Sequence, residues 1–213
     1  QSRRTELEFS LKGNSALVCG STSGIGKAAA IKLAECGAMV TLFARNQEKL
    51  DEVLKDLPGE RHANLCADFD DPESVKTAVA EVIQGGQIFT ILINNSGGPP
   101  AGKLLDASSE DFNTAFSRHI ACNQILVQQV IPGMVTSNFG RIINITSTSV
   151  KQPIEGLGVS NTIRGAVANW AKTLSFELGE FGITVNNILP GYTDTQRLQE
   201  IFLSNSKKNK FDI

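Results

Sequence analysis

The sequence predicts an α/β fold, a doubly wound parallel sheet of Rossmann type with helices on both faces. Three observations lead there. Short apolar runs alternate with segments of helical periodicity from Ser15 to Leu189. One run, Ile88 to Ile93, is apolar almost throughout, as a strand buried on both faces requires. A glycine-rich turn, Gly20 to Gly26, joins the first strand to the first helix.

The elements follow in order. Ser15 to Cys19 is a short apolar strand that ends in glycine. Ile25 to Glu35 is helical, with Ile31, Leu33 and Ala34 among alanines, and Met39 to Ala44 is the second strand. Glu48 to Leu57 has helical spacing at Leu50, Val53, Leu54 and Leu57, and Pro58-Gly59 stops it. Arg61 to Leu65 is a weaker strand. Pro72 opens a helix at its first turn, where the missing N–H costs nothing, and Val75, Val79, Val82 and Ile83 form its apolar face. After the Ile88 to Ile93 strand, Glu110 to Met134 reads as a long helix interrupted near Pro132. Arg141 to Ile145 is the fifth strand, Gly165 to Phe181 a helix and Thr184 to Leu189 the sixth strand. No repeat, linker or low-complexity stretch divides the chain, so residues 1–213 are expected to form one domain.

Bulk properties narrow the function. The 213 residues are 41% hydrophobic and 20% charged, ordinary for a globular domain. A net charge of -2 argues against broad affinity for nucleic acid or anionic membranes. No apolar run reaches the roughly 18 residues that span a bilayer. Gln1 to Glu8 is polar and lacks the apolar core of a signal peptide. Cys19, Cys36, Cys66 and Cys122 show neither metal-ligand nor redox-motif spacing, so no metal and a reduced, cytoplasmic setting are expected. Cys19 and Cys66 lie in strand-like runs, where a thiol acts as a small buried hydrophobe.

Ligands on such sheets bind beyond the carboxyl ends of the strands. Gly20, Gly24 and Gly26 let the backbone turn tightly and approach a pyrophosphate, and the helix N-terminus offers N–H groups and a positive dipole end. Ser21, Thr22 and Ser23 add hydroxyls, and Ile25 opens the helix. A bland tight turn is the alternative; the position between first strand and first helix favours dinucleotide binding.

The glycine spacing, with three residues and then one between the glycines, resembles the short-chain dehydrogenase/reductase family. Other segments resemble it too. Asn94-Asn95-Ser96-Gly97 is similar to the family's Asn-Asn-Ala-Gly element. Gly140 to Ser147 is similar to its fifth strand with the active-site serine, and Pro190-Gly191 with Thr193 and Thr195 to the element that embraces the nicotinamide. The resemblance runs over about residues 9 to 200 and feels closest to the 3-oxoacyl-acyl-carrier-protein reductase branch. It implies that Asn95, Ser96, Gly97, Pro190, Gly191 and Thr193 contact the cofactor, as do Asp68 and Phe69 at the adenine. Asp68 has the alternative of capping the helix near Pro72, for which Asp70 or Asp71 is better placed. Ala44-Arg45-Asn46 carries no carboxylate to repel a 2′-phosphate, and Arg45 can pair with one, which favours NADP over NAD. The alternative is that Arg45 is a solvated surface charge.

The catalytic pattern departs from the family. Ser147 stands at the carbonyl-polarising serine. The tyrosine and the lysine one turn later are replaced by Ser160 and Arg164, and the asparagine of the long helix by His119. A tyrosine hydroxyl ionises near about 10, whereas a serine hydroxyl is closer to water at about 15.7, so Ser160 is a poor proton donor. Arg164 can bond a ribose but does not exchange a proton. His119 is the one group at these positions expected to titrate near neutrality and so to move a proton; the alternative is that it merely packs. Tyr192 is the only tyrosine and stands in the loop after the sixth strand.

Three functions compete: an NADP(H)-dependent oxidoreductase on a carbonyl/alcohol pair, a silent dinucleotide-binding sensor or scaffold, and a lyase or isomerase on the same fold. A small-molecule substrate and a homo-oligomer, dimer or tetramer, are implied by the resemblance. The family's substrate lid corresponds to 194–202, and its last helix and strand are expected to be missing from the polar 203–213 tail.

Overall fold

The computed structural model describes residues 9–195 and 198–199. The expectations for 1–8, for most of the lid segment (196–197 and 200–202) and for 203–213 lie outside the described residues. The elements are β1 (Ser15–Cys19), α1 (Gly24–Glu35), β2 (Met39–Ala44), α2 (Gln47–Asp56), β3 (Ala63–Cys66), α3 (Pro72–Gln84), β4 (Ile91–Asn94), α4 (Ser109–Phe116), α5 (Cys122–Thr136), β5 (Gly140–Ile145), α6 (Gly158–Leu178) and β6 (Ile183–Ile188). The strands form one parallel sheet in the order β3-β2-β1-β4-β5-β6. The winding reverses between β1 and β4, the switch point at which sheets of this kind bind ligands beyond the strands' carboxyl ends.

Side chains alternate between sheet faces along each strand. Leu17, Phe43, Leu92 and Ile142 therefore pack under α3, α5 and α6, against Val75, Leu126, Met134 and Leu174. Ala16, Val18, Leu42 and Ile93 face the other way, against Ala30, Leu50 and Val53 of α1 and α2. With both faces covered, the strands can be apolar at nearly every position. No helix of the described residues is long and apolar enough to cross a membrane.

Four boundaries and one burial differ from the sequence reading, each for a local reason. β3 starts at Ala63 because Arg61 adopts φ 63°, which no strand residue holds. β4 starts at Ile91; Ile88 leaves the strand and lies against Gly133, where a Cβ would come within 2.9 Å of its Cγ2. Cys66 is exposed rather than buried, since β3 is an edge strand with its end open to solvent. The long helix runs through Pro132 to Thr136; both Pro132 and Gln128, whose carbonyl it leaves unbonded, are exposed, where water can satisfy that carbonyl. The interruption falls instead at a π turn, Ser117–Ala121, between α4 and α5.

The fourth boundary bears on the site. α6 begins at Gly158 and not at Gly165, which places Ser160 and Arg164 on its first turns. Gly158 is pressed against the Leu104 backbone, 2.6 Å from where its Cβ would stand. Gly102 N–H donates to the Gly156 carbonyl at 2.7 Å, and Gly158 N–H donates to the Gly102 carbonyl at 3.1 Å. Asn161 Nδ2 donates to the Ile154 carbonyl at 2.8 Å. These contacts hold a helix start that the residues 158–162, poor helix formers, would not hold alone.

Candidate nucleotide and active site

The loop after β1 is built for a close backbone approach. Gly20 and Gly24 hold φ of 58° and 52°. A Cβ on Gly26 would lie 2.1 Å from the Gly20 carbonyl oxygen. Asn95 Nδ2 donates to the Cys19 and Gly20 carbonyls at 3.3 Å each, locking the β4 loop to this turn. Ser21 is fully buried, and its Oγ accepts from Phe43 N–H at 2.9 Å. Its hydroxyl therefore braces the loop against β2. Thr22 and Ile25 are half-buried and Ser23 exposed.

Asn46, Asp71 and Ser108 cap α2, α3 and α4 through their side chains, whereas α1, α5 and α6 start without a side-chain cap. Of these, α1 starts directly after the glycine turn, so its first-turn N–H groups and positive dipole end stand beyond the carboxyl end of β1, which suits a diphosphate. Thr195 lies over this turn, its Cγ2 3.3 Å from where a Gly24 Cβ would be.

Arg45, exposed after β2, stands 3.9 Å from the Asp70 carboxylate. Asp70 is gripped by Arg118: Nε donates to Oδ1 and Nη2 to Oδ2, both at 2.6 Å, while Nη1 donates to the Gly97 carbonyl at 3.3 Å. Asp68 is exposed and accepts from Asp70 N–H at 3.0 Å, whereas Asp71 caps α3. The helix-cap alternative for Asp68 therefore falls. The Phe69 side chain is buried in the core 5.1 Å from Phe43, and its carbonyl accepts from Cys122 Sγ; the expectation at the adenine concerned its backbone.

After β5, Ser147 opens a short 3-10 turn, and its Oγ accepts from Ser149 N–H at 3.0 Å. Ser160 is half-buried, and its hydroxyl has no partner among the described residues. One turn later, Arg164 Nη1 donates to the Ile145 carbonyl at 2.9 Å, and its Nη2 lies 3.6 Å from where a Gly98 Cβ would be. The segment after β6 is drawn alongside: Thr146 Oγ1 donates to the Ile188 carbonyl at 2.9 Å, and Thr148 N–H to the Pro190 carbonyl at 3.2 Å. Gly191 and Thr193 are exposed on this segment, as is Tyr192. Side-chain bonds from Asn94 to Asn144 (2.8 Å) and from Asn144 to Asn187 (3.1 Å) tie the ends of β4, β5 and β6 together.

His119 lies on the π turn and is only 2% exposed. Its Nδ1 is 2.9 Å from Ser96 Oγ, and its buried Nε2 has no partner among the described residues. Burial above all, then the positive charges of Arg164 and Arg118, push its pKa down to about 2. The expected titration near neutrality is thus overturned: the imidazole is neutral throughout the physiological range. Ser96, expected at the cofactor, is paired with it. Sequence reasoning named Asp70 only as a helix cap, a place Asp71 takes, and missed its pairing with Arg118. Their opposite charges are visible, but they stand 48 residues apart, and only the fold brings them together.

Comparison with known proteins gives a concordant result. A family described as short chain dehydrogenase matches residues 14–206. Gluconate 5-dehydrogenase of Gluconobacter oxydans is 32% identical over 195 residues, 91% of this chain and 76% of that protein. The 3-oxoacyl-[acyl-carrier-protein] reductase of Rickettsia bellii is 30% identical over 182 residues, 85% of this chain and 73% of that one. Among solved structures, L-sorbose reductase from Gluconobacter frateurii complexed with NADPH and L-sorbose superimposes with a TM-score of 0.88. It is 29% identical, covering 95% of this chain and 78% of that one.

Proposed function

Since this chain belongs to the short-chain dehydrogenase/reductase family, we propose that it is an NADP(H)-dependent oxidoreductase acting on a carbonyl/alcohol pair, with a proton relay that uses no ionisable side chain. The observation that carries nucleotide binding is the uncapped N-terminus of α1 above a glycine turn too tight for any Cβ. The bound nicotinamide would supply the hydride. Arg45 supports NADP over NAD, as an exposed guanidinium at the end of β2 with no carboxylate beside it in sequence. The NADPH held by L-sorbose reductase supports the same choice.

Ser147 donates its hydroxyl proton to the substrate oxygen as a hydrogen bond, since its Oγ already accepts from Ser149 N–H. Ser160, without a partner among the described residues, orients the same oxygen. Arg164 holds the nicotinamide ribose from a position fixed by the Ile145 carbonyl. His119 acts as a buried neutral prop for the β4 loop through Ser96, and the proton reaches the substrate oxygen from water. The reductase relatives support a ketone substrate, with 3-oxoacyl thioesters as the first class to assay.

The missing acid also favours a second reading, a protein that binds NADP(H) without turning it over. One assay separates them: NADPH with a panel of ketones, including 3-oxoacyl thioesters, followed at the nicotinamide absorbance. The first reading expects slow turnover by the wild type. It expects a gain of about 100-fold from the double substitution Ser160→Tyr, Arg164→Lys, the scale of a restored general acid. Tight NADPH binding with no turnover by either protein on any substrate would establish the second.

A further inference from the structure

Arg45 is the cation expected at a 2′-phosphate, yet a carboxylate, Asp70, stands 3.9 Å away. An unpaired carboxylate there would oppose the phosphate in two ways. It would repel the dianion directly, and it would draw Arg45 into an ion pair. It would also accept a hydrogen bond from a ribose 2′-hydroxyl, the group NAD carries in place of the phosphate. Asp70 left to itself would thus select against NADP.

It is not left to itself. Arg118 meets both Asp70 oxygens in a bidentate fork at 2.6 Å, the strongest geometry for a guanidinium and a carboxylate. Arg118 is well suited to stay in place: its side chain is 21% exposed, its Nη1 is tied to the Gly97 carbonyl, and it rises from the π turn. Arg45, by contrast, is 70% exposed and only grazes Asp70. The neighbouring carboxylates are otherwise engaged, Asp68 with Asp70 N–H and Asp71 at the α3 N-terminus.

Resting on the NADP reading above, we propose that Arg118 is a specificity-determining positioning residue: it neutralises Asp70 and so leaves Arg45 to the 2′-phosphate. The selectivity for NADP is then written on two arginines. One, at the end of β2, meets the ligand. The other, on the π turn, never touches it and acts by occupying the carboxylate that would reject it.

The test is fluorescence titration of NADPH and NADH into the full chain and three variants. Arg118→Met is expected to weaken NADPH about tenfold while NADH stays within twofold or tightens. Adding Asp70→Asn to that variant is expected to restore NADPH to within about threefold of wild type. Asp70→Asn alone, which removes no packing, should keep or tighten NADPH and serves if Arg118→Met does not fold. Equal weakening of both nucleotides by Arg118→Met, or no rescue by Asp70→Asn, would overturn the proposal and mark Arg118 as a strut for Gly97. A tenfold loss of NADPH in Asp70→Asn alone would overturn it as well. A wild type that binds NADH more tightly than NADPH, or neither, defeats the NADP reading itself and the proposal with it.

Discussion

Replacing Gly26 with alanine is expected to weaken NADPH binding by at least about 100-fold. The added Cβ would lie 2.1 Å from the Gly20 carbonyl oxygen, far inside any tolerable contact, and 2.7 Å from Asn95 Nδ2. Relief by movement of Gly20 is blocked. Its N–H donates to the Phe43 carbonyl at 2.8 Å, and the space beside its Cα is filled by Asn95 at 2.6 Å. Helix α1 must therefore lift away from the strand end, carrying its uncapped N–H groups away from the phosphates. The overpacking should also cost about 1–3 kcal/mol of stability. A matched control is Gly165→Ala. Gly165 lies within α6 with nothing within 4 Å of the new methyl, so that variant should gain about 0.5–1 kcal/mol. Urea unfolding separates the two effects, and nicotinamide fluorescence gives the affinity. A Gly26→Ala protein that binds NADPH as the wild type does would refute the geometry of the loop.

Acid should unfold this protein through His119. The folded-state pKa is pushed down to about 2 from the ordinary value of 6.5. Below 6.5 the unfolded chain takes up a proton that the fold refuses, so the contribution to stability is complete above that value. It is lost progressively as pH falls toward about 2. At pH 5 the loss is on the order of 2 kcal/mol, from about 1.4 kcal/mol per pH unit. The measurement is the urea midpoint at pH 7 and pH 5 for the wild type and for His119→Gln. The glutamine amide can still bond Ser96, and His62 and all carboxylates are common to both proteins, so their contributions cancel. The wild type should lose about 2 kcal/mol more than the variant. Equal losses would mean that His119 is protonated inside the fold.

The six strands and a parallel sheet covered on both sides could be read from the sequence because burial on two sides writes a dense apolar code. Ile91, Leu92 and Ile93 are all within 4% of full burial. The boundaries were less readable where tertiary contact overrides local preference. Nothing in Gly158-Val159-Ser160-Asn161-Thr162 favours a helix; the Leu104 backbone beneath Gly158 and the Asn161–Ile154 bond impose one. At the site, the glycine motif announced its backbone, but hydroxyls announce no partner. Ser21 and Ser96 read as ligand contacts, and the sequence did not show their bonds to Phe43 N–H and His119. The pKa of His119 depends on burial and on two arginines, one of them a turn into α6, and no local pattern encodes that sum.

The π turn at Ser117–Ala121 has a meaning best put as phase. A regular helix advances about 100° per residue, so an unbroken one over this stretch would carry a single apolar stripe. The wider turn resets that angle. Before it, Phe112 and Ala115 face Val159 and Ile163 of α6; after it, Cys122, Leu126 and Val130 face the sheet. The same offset sends two adjacent residues to opposite duties, Arg118 out to Asp70 and His119 inward to Ser96. Deleting a single residue between 117 and 121 would leave two sound helices and bring them into step. In doing so it would turn either the half that faces α6 or the half that faces the sheet to the wrong side, so the placement of Arg118 and His119 depends on one helix being kept out of step with itself.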